Sequence, residues 1–139
     1  MNAPKIEVRN VYKVFGKREK EALALSQQGQ SKEQVLAATG CVVGVDDLSL
    51  SIAAGEVFVI MGLSGSGKST LVRHFNRLVD PSSGQILVDG EDILRYDMPA
   101  LRAFRRRKVS MVFQSFGLLP HKSVLDNVAY GLKVRGESK

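Results

Sequence analysis

Residues 57–71 read V-F-V-I-M-G-L-S-G-S-G-K-S-T-L, and the reading of this stretch decides the fold. Val57 to Ile60 is a continuous apolar run, as expected of a strand buried on both faces of a parallel sheet. Gly62, four further residues, then Gly67, Lys68 and Ser69 satisfy the pattern G-x-x-x-x-G-K-[ST]. Gly62, Gly65 and Gly67 allow torsions that turn successive N–H groups inward as a nest for phosphate oxygens. Ser64 and Ser66 lie within the same loop. A helix starting near Lys68 adds its positive end. Lys68 supplies a mobile cation to the β and γ phosphates, the Ser69 hydroxyl is placed to ligate Mg²⁺, and Thr70 supports the α or β phosphate. A random chain of this length matches the pattern on the order of once in 200. The expected ligand is a nucleoside triphosphate, Mg-ATP before others.

Working outward, Leu71, Val72, Phe75, Leu78 and Val79 fall at helical intervals until Asp80, Pro81 and Gly84 stop the helix. Upstream, Leu48, Leu50 and Ile52 alternate with Ser49 and Ser51 as in an amphipathic strand, and Gly55 marks the turn after it. Ile6 and Val8 open another half-buried strand that continues toward Val11 and Phe15. Between these strands, from about residue 17 to 44, Ser31 and Gln34 form a capping box, and Val35, Leu36 and Thr39 follow at helical spacing up to Gly40. That segment is a helical insertion. Downstream, Ile86 to Val88 with Asp89 and Gly90 reads as a strand and turn. Asp97 caps a helix through Leu101 and Phe104, and Val109 to Phe113 is the next strand. Ser123 caps a last helix running toward Gly136.

Composition sets limits on this picture. At 139 residues and 44% hydrophobic the chain is of single-domain size. Its longest apolar run is far below a membrane span, and charges at Lys5, Glu7 and Arg9 exclude a signal peptide, which predicts a cytoplasmic protein. The lone cysteine, Cys41, reads as a small buried apolar residue rather than part of a disulfide or zinc site. The net charge of +6 fits polyanion partners in general, and the basic stretch Arg102 to Lys108 reads as a helix end meeting water.

Two further segments carry a family resemblance. The stretch VFVIMGLSGSGKST, together with VSMVFQSF at 109–116, closely resembles the phosphate loop and glutamine loop of ATPase subunits of ABC transporters. The resemblance implies that Gln114 touches Mg²⁺ and the attacking water and senses the transmembrane subunit. It also implies that an aromatic residue of VYKVFG, residues 11–16, stacks on adenine; spacing before the glycine favours Phe15 over Tyr12. SKEQVLAATG at 31–40, with IMGLSGSGKST at 60–70 and MVFQSFGLLPH at 111–121, is similar to the ATPases of osmoprotectant importers handling glycine betaine or proline. The implied fold is α/β: a phosphate-loop core with an N-terminal antiparallel β layer and a helical insertion, truncated, since neither an LSGGQ-like signature, a Walker B strand with its catalytic Glu, nor a switch His follows Lys139. Ile86 to Asp89 imitates Walker B, but Gly90 turns it into a hairpin, and His74 and His121 do not occupy the switch position.

The implied partners are a transmembrane permease subunit, a second ATPase subunit in a head-to-tail homodimer and, indirectly, a substrate-binding protein; the implied place is the inner face of the plasma membrane, reached through the permease. The 139 residues alone are expected to bind ATP without turnover. Two other readings compete. In a nucleic-acid module, Lys32 to Leu50 would mimic a helix-turn-helix, but the period-two alternation of Leu48, Leu50 and Ile52 opposes a recognition helix. In a phosphate-loop kinase Lys68 and Ser69 would keep their roles and Gln114 would have none.

Overall fold

Alternating apolar residues near the N-terminus become strand β1 (Ile6–Phe15), the centre of an antiparallel sheet. A computed structural model describes residues 4–113 and 117–137, in two units, 1–95 and 96–139. In the first unit, β1 is followed by helices α1 (Glu19–Gln27) and α2 (Lys32–Thr39), strand β2 (Val42–Ile52), helix α3 (Lys68–His74), and strands β3 (Ser83–Val88) and β4 (Glu91–Asp92). The sheet order is β2-β1-β3-β4. Val8 pairs with Leu50 on one side and Ile86 on the other.

Val8, Val11 and Val14 are all buried, although residues three apart point to opposite faces of a regular strand. The pairing is bulged rather than regular: the β1–β2 register shifts between Val8 and Val11, where β1 carries the extra residue, and twice more before Val14, where β2 carries the extra residues. Asn10 at the first shift and Asp47 at the second have positive φ (46° and 44°), and the Asn10 amide donates to Asp47 Oδ1 at 2.9 Å.

The insertion packs on the far end of this hairpin. Ala22 of α1, Val35 of α2, and Cys41 join Val14 and Val43 in a small buried cluster, so Cys41 is the apolar core residue its isolation predicts. Ser31 Oγ accepts from Gln34 N at 3.3 Å and Gln34 Oε1 from Ser31 N at 2.8 Å, the reciprocal capping box expected from the sequence. The strand expected from Leu48 onward starts earlier, at Val42, and a strand here removes the recognition helix that the helix-turn-helix reading needs.

The Walker B imitation is a hairpin. Leu87 pairs with Asp92 and Val88 with Glu91 across a turn in which Asp89 and Gly90 both have positive φ. Asp89 is tied to Lys5 at 2.6 Å.

Two expected strands do not form. Val57 to Ile60 is irregular, with Val57 89% exposed, and its backbone finds no strand partner among the described residues. An apolar run of this kind becomes a strand only when neighbours take its hydrogen bonds and cover both faces. Val109 to Phe113 is likewise irregular, for the same reason. The helix after the phosphate loop is also shorter than its periodicity suggests. Arg77 takes positive φ, Asn76 Oδ1 accepts from Leu78 N at 3.1 Å, and the chain turns before Val79.

The second unit contains α4 (Met98–Arg107), α5 (Val124–Val128) and α6 (Tyr130–Arg135). Asp97 caps α4 through Ala100 N at 2.9 Å, and Leu101 and Phe104 are its buried face. Arg102, Arg106, Arg107 and Lys108 are exposed, the solvated helix end that the basic stretch suggests. The single last helix expected after Ser123 is interrupted at Ala129, where Gly131 lowers the helical propensity of the continuation.

Candidate functional site

The phosphate loop joins the irregular segment 57–61 to α3. Gly65 and Gly67 adopt left-handed φ of 79° and 92°, values a side chain disfavours. Gly67 caps α3 without a side-chain acceptor, which leaves the first N–H groups of the helix free of a capping side chain. A Cβ at Gly67 would lie 2.1 Å from the Gly44 carbonyl oxygen, so the loop rests directly on the backbone of β2. A Cβ at Gly62 would lie 2.6 Å from Ser66 Oγ. A Cβ at Gly67 would therefore meet backbone, and one at Gly62 the movable end of the Ser66 side chain.

Lys68 holds the loop from inside. Its Nζ donates to the carbonyls of Gly62 (2.7 Å) and Leu63 (2.5 Å) and to Ser66 Oγ (3.2 Å). These are bonds to neutral acceptors, and phosphate oxygens make stronger partners for an ammonium. Ser64 and Ser69 are exposed, and Thr70 is half-buried in the first turn of α3. A cavity of about 300 Å³ opens beside the loop, lined by Gly62, Ser66, Gly67 and Lys68, by Gly44, Val45, Asp46 and Leu48 of β2, by Ile60, Met61 and Leu71, and by Lys32 of the insertion.

Of the two candidate adenine platforms, Phe15 stands at the end of β1 and is 42% exposed. Its ring lies against Gly44, where a Cβ would come within 2.8 Å of Cε2, and Lys13 Nζ is 5.1 Å from the ring centroid. Gly44 thus leaves the Phe15 ring the space a side chain would take, and its carbonyl faces Gly67. Tyr12 is turned to other company: burial, then the neighbouring Asp47 and Asp46 carboxylates, raise its phenol above the usual range. Gln114 lies outside the described residues.

Three residues of this site escape motif reading. Gly44 carries a usable signal, because a glycine inside a strand pattern often marks close backbone approach. Asp46, whose carboxylate accepts from Ser26 Oγ at 2.6 Å, and Lys32 carry none. His74 is fully buried, with Nδ1 2.7 Å from the Val79 carbonyl oxygen, while His121 is exposed; both are outside the phosphate loop. Among the described residues no group of three or more His, Cys, Asp or Glu is placed to hold a metal, and no helix is long and apolar enough to cross a membrane.

Comparison with known proteins places this geometry. The ABC transporter family profile matches residues 45–139. The chain is 54% identical over 134 residues to the glycine betaine/proline betaine transport system ATP-binding protein ProV of Escherichia coli, covering 96% of this chain and 34% of that protein. It is 52% identical over its whole length to the trimethylamine N-oxide transport system ATP-binding protein TmoW of Ruegeria pomeroyi, covering 41% of that protein. It thus spans roughly a third to two-fifths of the curated relatives it matches. The solved dimeric structure of MJ0796, a bacterial ABC transporter cassette, superposes with a TM-score of 0.74 at 28% identity, over 96% of this chain and 49% of that one. The same cassette in a post-hydrolysis state bound to ADP and Pi matches equally well. The antiparallel sheet, the insertion-bearing hairpin and the phosphate loop are therefore parts of an ABC ATPase cassette, and the chain belongs to the ABC transporter family.

Proposed function

We propose that this chain is the ATP-binding portion of an ABC importer ATPase that couples ATP binding and hydrolysis to uptake of a compatible solute such as glycine betaine or proline. The observation that carries the proposal is Lys68 gathered onto the Gly62 and Leu63 carbonyls inside a loop whose Gly65 and Gly67 only glycine accommodates without strain. The loop is built for phosphate, and Lys68 exchanges its carbonyl partners for phosphate oxygens when nucleotide enters. The solute class rests on the relatives, whose names give glycine betaine, proline betaine and trimethylamine N-oxide as their cargo.

Within this reading each residue has a distinct task. The N–H groups of Ser64 to Ser69 cradle the β phosphate, with Thr70 nearby, and Phe15 offers an exposed ring face to adenine. Mg²⁺, when bound with ATP, neutralises charge on the β and γ phosphates. The exposed Ser69 hydroxyl and Gln114 are its protein ligands, an oxygen set suited to a hard cation. Gln114 also orients the attacking water and reports on the permease. The partners are a permease subunit, through which the ATPase sits on the inner face of the plasma membrane, a second ATPase subunit arranged head to tail and, through the permease, a substrate-binding protein. No nucleic acid is required.

The proposal is tested by solute uptake in cells that depend on this gene for growth at high osmolarity. The parent gene restores accumulation of labelled glycine betaine, and Lys68→Ala abolishes it. Undiminished uptake with Lys68→Ala would overturn the assignment.

A further inference from the structure

The helical insertion has no task in the account above, yet it reaches the phosphate loop. Lys32, the first residue of α2, lines the same 300 Å³ cavity as Gly62, Ser66 and Lys68. Its backbone is held firmly. Ser31 and Gln34 close a reciprocal capping box around it, and one turn later Val35 is fully buried against Val14, Ala22, Cys41 and Val43. At the end of α1, Ser26 donates to Asp46 of β2, which is itself part of the cavity wall. The helix that carries Lys32 and the strand under the phosphate loop are thus one packed body. Among the described residues, no carboxylate lies within ion-pair distance of the Lys32 ammonium; Glu33, the next residue, is its nearest charged neighbour in sequence.

The charges lining the cavity are the Lys32 and Lys68 ammoniums and the Asp46 carboxylate. In the reading above Lys68 exchanges the loop's own carbonyls for phosphate oxygens, and the Asp46 carboxylate accepts a hydrogen bond from Ser26. A polyanion bound at the loop has Lys32 as the other cation in the cavity lining. From this arrangement we infer that Lys32 is a second phosphate-contacting cation, through which the insertion forms part of the nucleotide site. The inference rests on the reading of the loop as an ATP site.

The test uses Mg-ATP and adenosine as probes, titrated against the full chain and its Lys32→Ala, Lys32→Glu, Lys32→Arg and Lys68→Ala variants, with thermal midpoints measured on the same samples. Lys32→Ala weakens Mg-ATP about threefold at low salt, the scale of one solvent-accessible charge pair. Lys32→Glu weakens it roughly tenfold, because attraction becomes repulsion. Lys32→Arg binds as the parent does, adenosine affinity stays constant throughout, and the difference fades as salt rises. If Lys68→Ala weakens Mg-ATP while Lys32→Ala and Lys32→Glu do not, the inference fails and the phosphate loop stands. If Lys68→Ala has no effect, the loop reading fails and takes the inference with it. A loss shared equally by ATP and adenosine, or one that follows a fall in thermal midpoint, assigns Lys32 a structural role and also overturns the inference.

Discussion

Alanine at Gly67 should destabilise this fold more than alanine at Gly65, and the structure separates the two contributions. Both glycines have φ near the left-handed region, 92° and 79°, so either substitution incurs about 1–2 kcal/mol of backbone strain. Restricting the unfolded chain returns about 0.4–1 kcal/mol in each case. Among the described residues nothing lies within 4 Å of a Cβ at Gly65, so Gly65→Ala should cost about 1 kcal/mol in total. At Gly67 the added carbon meets the Gly44 carbonyl at 2.1 Å, and that oxygen belongs to strand β2, which cannot yield as a flexible side chain would. Forcing the loop off the strand adds about 1–3 kcal/mol, as overpacking does elsewhere, for a total of about 2–4 kcal/mol. Equilibrium urea denaturation of the two variants beside the parent measures the difference. Equal losses for Gly65→Ala and Gly67→Ala would refute the contact between loop and strand, because the strain term is common to both.

Other outcomes follow from the same geometry. His74 is buried with Nε2 lacking a partner among the described residues, and burial, helped by Lys13, lowers its pKa against the opposing effects of the Val79 carbonyl and Asp80. Its neutral form is the folded one, so stability is complete above about pH 6.5 and declines as pH falls from there toward the lowered folded value, while the unfolded chain takes up the proton. His74→Phe should flatten that part of the stability–pH curve; an unchanged slope would assign it to other groups. Phe15→Ala should weaken adenosine nucleotides by roughly three- to tenfold through lost stacking, on the scale of about 1 kcal/mol, and leave the preference for triphosphate intact. If Tyr12→Ala does so instead, the adenine platform lies three residues earlier. Gln114→Ala in the assembled transporter should leave ATP binding nearly unchanged and depress transport-coupled hydrolysis, a combination that a large loss of ATP affinity would contradict.

What could be read from the chain in advance was what neighbouring residues decide among themselves. Ser31 with Gln34, Asp97 with Ala100 N and Ser123 with Asp126 N all form the caps that their spacing suggests. Asp89 and Gly90 make the turn that separates Ile86–Val88 from a Walker B strand. Val57 to Ile60 and Val109 to Phe113 read as strands yet are irregular, because a strand's hydrogen bonds are made with partners distant in sequence, and apolar character alone does not provide them. The site divides the same way. Gly62 to Thr70 is contiguous and carries its own pattern, whereas Gly44 and Lys32 reach the loop only after the hairpin and insertion have folded.

The central claim, that the loop from Gly62 to Thr70 is a triphosphate site organised by Lys68, is tested most directly by calorimetric titration of the full chain with Mg-ATP. The parent should bind saturably. Lys68→Ala should bind about ten- to a hundredfold more weakly, the loss of about 1.5–3 kcal/mol expected when a charge-assisted hydrogen-bond partner is removed. Equal affinity for the parent and Lys68→Ala would contradict the account.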